Sequence, residues 1–396
     1  MKKILFGLAT TTWILATSLL WYSCVSAEDY TDRQVGRAVE WLITRGEWQQ
    51  RKPLLQKLDT VLPIAKEKFA WRQSTIKILD QIQKAVTNKL SICVSETPEQ
   101  AFSRSNLATN TSIRSIPLDE VLSGWPPKDG IPALSDPKFV DIGTANIWWY
   151  LNDASEGIVV SDGDDSRFYP FQILNRHEII NDTVGNKNIA ITFCPLCGTA
   201  ITFSREFDGE VINFWVSGKL HNSNLLMYDD RTDSLWSQAM GRWVVGFYTD
   251  FQLEYVDSDV ITYSKFVDSY PNGKVLSDDT WYDRNYKLNS PYGDYNTNDD
   301  LFFPVENLDT SLPKKKMLYV VNDTKNELSI AFVQEDLAKT GRATIIADGI
   351  SYNAMYTNGK VQVVRGTDGK VLSHFTQMRF SWTAHDYYPR YLWNAE

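Results

Sequence analysis

Ile189-Ala190-Ile191-Thr192-Phe193-Cys194-Pro195-Leu196-Cys197-Gly198-Thr199-Ala200-Ile201-Thr202-Phe203 consists of two short β-type runs joined by a dithiol turn. Ile, Thr and Phe favour a pleated backbone, and the Pro and Gly inside the turn punctuate it. Pro195 fixes the first bend, and Gly198 permits the positive φ needed to leave it. The stretch therefore predicts a β-hairpin. Similar short runs occur at 157–160, 211–216, 243–247, 317–320, 328–332, 343–347 and 361–364. Asp208-Gly209, Asn358-Gly359 and Asp368-Gly369 are hairpin-like turns. Asp162 to Asp165 reads as a hairpin tip, and a helix is expected from Pro170, since Pro suits a first helical turn. Residues 113–396 thus read as one large β-rich domain with few helices.

Upstream the period changes. Val35, Val39, Leu42, Ile43, Leu54, Leu55, Leu58 and Leu62, then Ile76, Leu79, Ile82, Val86 and Leu90, recur at helical spacing among polar residues. The expected class is α+β: a small helical array over 28–105, a Ser/Thr/Asn-rich linker over 106–112, and the β-rich domain. The array carries no catalytic constellation and suits protein docking. Before it, Lys2-Lys3, an apolar run to Leu20 and Val25-Ser26-Ala27 read as a signal peptide, 1–27, cleaved after Ala27. Cys24 offers a lipoprotein alternative, but bulky Trp21 and Tyr22 precede it. The expected location is periplasmic or extracellular, with no membrane span after cleavage.

Composition narrows the class. The net charge of −9 repels phosphate backbones and argues against nucleic acid as a partner. Aromatic residues at 13% suit an ordered β-rich protein and exclude disorder. Beyond the leader remain Cys93, Cys194 and Cys197, an odd set that excludes a disulfide scaffold.

The chemistry centres on the dithiol turn. Two thiolates at this spacing can converge on one metal at about 2.3 Å. One such knuckle supplies half of a site, so another ligand is needed. His177 is the best candidate, on the helix leading toward the dithiol strand, where its spacing puts it on one face with Ile173 and Ile180, with His221 weaker and Glu178 and Asp182 as groups that would orient the ligands. Zinc, copper or iron would suit two thiolates and an imidazole. A thiol–disulfide oxidoreductase is the alternative, although strands on both sides differ from the helix N-terminus that activates many Cys-X-X-Cys pairs. Structural roles for the dithiol, and a non-enzymatic extracellular binding module, are also open. His374 and His385 read as packing residues, and Ser223 lacks the context of a serine hydrolase. Asp294 to Asp300 has calcium-like spacing but Asp299 where Gly belongs and Val305 where Glu belongs, so it reads as a surface turn. There is no phosphate loop, dinucleotide fingerprint or haem attachment motif.

Several strings in order carry a resemblance: Pro170 to Asp182 with His177-Glu178, Cys194-Pro-Leu-Cys197-Gly198-Thr199, Val216 to Asp229 with Asn222-Ser223-Asn224, Ser234-Leu-Trp236-Ser237-Gln238, Pro291-Tyr-Gly293-Asp-Tyr295, and Leu301 to Val305. Together they resemble the bacterial and archaeal domain-of-unknown-function family 3179 over roughly 113–396. The resemblance implies a domain boundary near Ile113 and carries no reaction. His221 is not a residue that its pattern demands.

Overall fold

The computed structural model describes Glu99, Phe102 and residues 105–395, apart from 125, 145–148, 249–250, 288–291, 307, 310–311 and 386–387. The expected leader and, but for a few residues, the helical array lie outside them, as do Cys24 and Cys93. All the described residues except Glu99 belong to one compact unit, Phe102–Glu396.

This unit is strand-rich, as expected. An eight-stranded sheet forms the centre, in the order Leu134–Ser135, Ile179–Val184, Lys187–Cys194, Thr199–Ser204, Phe375–Met378, Met317–Asp323, Leu328–Val333 and Arg390–Trp393. An antiparallel five-stranded sheet contains Leu122–Ser123, Phe214–His221, Asn224–Asp229, Leu235–Ser237 and Arg242–Val245. A second five-stranded sheet carries Glu156–Asp162 and Asp165–Pro170 as its central hairpin, and a four-stranded sheet spans 342–372. Among the described residues the α-helices are Phe171–His177, Tyr263–Ser269, Gln334–Thr340 and Arg379–Ala384. None is long and apolar enough to cross a membrane.

The alternation of side chains along a strand explains why the run before the dithiol is apolar apart from Thr192, whose hydroxyl donates to the Ile201 carbonyl at 2.7 Å. Ile189, Ile191 and Phe193 enter a core with Phe168, Ile173 and Leu174. Ala190 and Cys194, on the other face, enter a core with Phe203, Trp236 and Phe375. The returning strand sends Ala200 to the first core and Ile201 and Phe203 to the second. A strand covered on both faces has no solvent side to make polar, so the dithiol turn starts from the middle of the protein. Burying each large side chain contributes about 1.5–3 kcal/mol.

Two local expectations are corrected. The helix from Pro170 does not carry Ile180 on the face of His177. It ends at His177, where Glu178 takes φ +57°, and Ile179–Val184 is a strand. β-Branched Ile179, Ile180, Thr183 and Val184 favour that extended backbone. The stretch 211–216 begins its strand only at Phe214, because Glu210–Val211 closes a separate ribbon with Glu206–Phe207. Residues 106–112, expected as a linker, run against this unit: Leu107 is buried with Phe102 and Ile116 against Leu226 and Leu235.

Candidate functional site

Two hairpin turns meet at the dithiol. In the first, Cys194 pairs with Thr199, and the Cys197 N–H donates to the Cys194 carbonyl at 3.3 Å. Gly198 sits at φ +58°, and a Cβ there would lie 3.0 Å from the Met317 Sδ and Cε atoms. The conformation therefore favours glycine, and a Cβ would also press the flexible tip of Met317 aside. The second hairpin joins Phe214–His221 to Asn224–Asp229, with His221 paired to Asn224. Asn222 at φ +46° and Ser223 at φ +63° make both of its central residues left-handed, the pattern of a type I′ turn. That geometry brings the Ser223 carbonyl to 3.9 Å from Cys194 Sγ and the Asn224 amide to 3.0 Å from Cys197 Sγ.

Cys197 is surrounded by donors. The Thr199 hydroxyl donates to its sulfur at 3.1 Å, alongside the Asn224 Nδ2 group. Asn224 is itself fixed: its Oδ1 accepts the Ala239 N–H at 3.0 Å, and its Nδ2 also reaches Gln238 Oε1 at 3.2 Å. Gln238 in turn donates to Thr192 Oγ1 and the Thr199 carbonyl. Burial alone would push the Cys197 thiol up, but donation from Cys194, Thr199 and Asn224 outweighs it and brings the thiol below its ordinary value. Cys194 moves the other way. Burial, then its donation to Cys197 and the charge on that sulfur, hold its proton well above the ordinary range. The pair is therefore polarised, with Cys197 the more acidic of the two and Cys194 the less.

Glu178 adds a carboxyl to this setting. It is buried, and burial followed by the charge of Cys197 pushes its pKa up to about 8. Its backbone occupies the left-handed side at the end of the helix, a position that glycine usually fills.

Residues 294–300, expected as a surface turn, lie largely at the surface, but Tyr295 among them is buried in the same core. Tyr295 and Phe303 are buried with Cys194 and Cys197, with Tyr292 and Leu301 against them. Lys315 Nζ lies 3.4 Å from the Tyr295 ring centre and donates to the Tyr295 carbonyl. Burial, then the charges of Cys197 and Cys194, raise the Tyr295 phenol. The outer face of the dithiol turn borders a cleft of about 390 Å³, lined by Pro195, Gly198, Phe193, Lys315, Gln172 and Gln334 among others.

The expected ligands are distributed differently. His177 Nδ1 donates to the Pro132 carbonyl at 2.7 Å, and Nε2 accepts from the Tyr286 hydroxyl at 2.7 Å. Burial pushes its pKa down to about 4, so it is a neutral core histidine with both nitrogens engaged. His221 faces Glu120 at 3.1 Å and packs against His385. Asp182 accepts from Arg167 and from the Tyr169 hydroxyl at 2.6 Å, tying two sheets together. Of the candidate set, the structure brings together Cys194, Cys197 and Glu178. Among the described residues no three His, Cys, Asp or Glu side chains gather closely enough to hold a metal ion. Sequence reasoning missed Thr199, Asn224 and Tyr295 as site residues. Their only signal was a place in the ordered strings around the dithiol.

A family model described as "Protein of unknown function (DUF3179)" matches residues 128–393. No curated protein and no solved structure matches the chain.

Proposed function

This chain belongs to the DUF3179 family, whose description assigns no reaction, and from the geometry of its site we propose that Cys194 and Cys197 are a redox-active dithiol. The observation that carries this reading is the polarised pair: Cys197 Sγ held by Thr199 and Asn224 at 3.1 and 3.0 Å, with the protonated Cys194 beside it. A thiolate is the nucleophile of sulfur exchange, and a neighbouring thiol resolves the product into a disulfide. In that oxidation the S–S bond forms, two electrons pass to the partner, and two protons leave. The export expected from the leader would place this couple in an oxidising compartment, where its resting state is the disulfide.

The test is the reduction potential of the full chain, measured by equilibration in glutathione buffers with thiols counted after alkylation. A labile couple lies above about −300 mV, and structural disulfides lie below it. Failure to form the Cys194–Cys197 disulfide, or a potential in the structural range, overturns the reading. Stoichiometric binding of zinc or copper(I) that blocks disulfide formation would return the site to metal chemistry.

A further inference from the structure

The two side chains that donate to Cys197 are themselves held by one residue that touches neither sulfur. Gln238 is 0% exposed. Its Oε1 accepts from the Asn224 Nδ2 group at 3.2 Å. Its Nε2 donates to the Thr199 carbonyl at 3.1 Å and to the Thr192 hydroxyl oxygen at 2.9 Å. The Thr192 hydroxyl gives its own proton to the Ile201 carbonyl at 2.7 Å, so toward Gln238 it acts as an acceptor. One buried amide thus braces Asn224 through its side chain and Thr199 through its backbone.

The backbone fixes the sense of these bonds. A carbonyl only accepts, so the Thr199 oxygen requires the Nε2 side of Gln238 and turns Oε1 toward Asn224. A backbone N–H only donates, so Ala239 requires the Oδ1 side of Asn224 and turns Nδ2 toward Gln238 and Cys197. Reversing either amide would set donor against donor or oxygen against oxygen in the core, where such mismatches are costly. Asn224 Nδ2 carries two hydrogens, and Gln238 takes one while the sulfur side takes the other. Without the Gln238 oxygen, that group keeps a buried N–H with no acceptor. Its amide plane can then tilt toward Thr199 Oγ1, 3.2 Å away, and off the sulfur.

We propose that Gln238 is the positioning residue of the dithiol: it holds the Asn224 and Thr199 donors on Cys197 and through them tunes the reactivity of the couple. The proposal rests on the redox reading of Cys194 and Cys197. Contacts at a reactive group are only as precise as the partners that lock them. Donors aimed at Cys197 favour that sulfur as an anion, and the anion is both the exchanging species and the stabilised reduced form. Gln238 follows the strand Leu235–Ser237, so the tuning comes from the sheet beside the dithiol hairpin.

Gln238→Met keeps the length and fills the space but neither donates nor accepts in its neighbours' place. The reduced full chain is titrated by ultraviolet thiolate absorbance, and its reduction potential is measured in glutathione buffers at pH 9. The first thiol midpoint should rise by about one pH unit in the variant, a tenfold loss of acidity. The potential at pH 9 should fall by up to about 30 mV, which is that tenfold change for a two-electron couple. In an Asn224→Ala background the same substitution should lose most of its effect, because the donor it chiefly holds is gone. Thr192→Val, a shape-conserving change on a strand, loosens Gln238 from its other side. It should raise the midpoint by less, and it decides the question if Gln238→Met does not fold. A merely structural Gln238 would lower the urea midpoint and leave the thiol titration where it was. That result overturns the proposal, as does a shift of equal size with and without Asn224. If either occurs while the parent's potential lies above about −300 mV, the redox reading survives and only the role of Gln238 falls. If the parent's potential lies in the structural range, the redox reading fails and takes the tuning of the couple with it.

Discussion

Replacing Thr199 by Val removes one hydrogen-bond donor from Cys197, together with the hydroxyl's acceptance of Asn224 Nδ2 at 3.2 Å. The two side chains share a shape, both are β-branched, and position 199 opens a strand where either is favoured. The lost contact is the hydroxyl at 3.1 Å from Cys197 Sγ. Asn224 keeps its own contacts to that sulfur and to Gln238. A hydrogen bond to a charged group contributes about 1.5–3 kcal/mol, which corresponds to a rise of about 1–2 in the thiol pKa. The folded Cys197 thiol lies below its ordinary value, so its stabilisation is fully present above the unfolded pKa, about 8.5. It is lost as pH falls through the folded value. Thr199→Val should therefore lose about 1.5–3 kcal/mol above pH 9 and much less at pH 5. Ultraviolet thiolate absorbance against pH reads the first effect, and urea unfolding at the two pH values reads the second. Coincident absorbance midpoints in parent and variant would refute the claim that this hydroxyl holds the thiolate.

Burial and the Cys197 charge raise Glu178 to about 8, above an unfolded value of about 4.3. Its contribution is present below the unfolded pKa and declines as pH rises through the folded one, so the stability of Glu178→Gln relative to the parent should rise from pH 4 to pH 9, by about 5 kcal/mol at most, measured by urea unfolding. Burial pushes Lys219 down to about 7, so the parent should gain stability from pH 7 toward 10. Lys219→Met should abolish that slope and be more stable at pH 6 by about 1–3 kcal/mol, as read from denaturant midpoints across the series. For Asp323, burial acts upward, but donors from Asn326, Arg365 and Tyr352 outweigh it and lower the carboxyl. Its stabilisation is present above an unfolded pKa of about 3.9 and lost as pH falls through the folded value. Asp323→Ala, which leaves buried Arg365 with Asp368 as its remaining carboxylate partner, should cost about 1.5–3 kcal/mol at pH 7, and calorimetry against pH would expose a pH-independent loss.

The strand runs on either side of the dithiol, the hairpin turns at 208–209 and 358–359, and the helix after Pro170 were all legible, because each is encoded by period and turn chemistry within a dozen residues. The same logic failed at Glu178. The helical spacing of His177 and Ile180 looked continuous, but β-branched residues and strand pairing with 187–194 ended the helix at His177. The histidine then turned to Pro132 and Tyr286, the latter 109 residues away.

By itself, the sequence determined a β-rich domain with a Cys-Pro-Leu-Cys-Gly turn between two strands as its chemical focus. The turn demands these residue types locally, and a strand buried on both faces must be apolar along its length. Only the tertiary structure decided what surrounds the sulfurs. Asn224 reaches Cys197 across 27 residues, from a hairpin in another sheet. Tyr295 arrives from a segment whose spacing suggested an exposed turn. Such neighbours depend on how sheets pack on one another, which a local pattern does not encode. That packing gave the dithiol two inequivalent sulfurs and a closed, hydroxyl-lined surround.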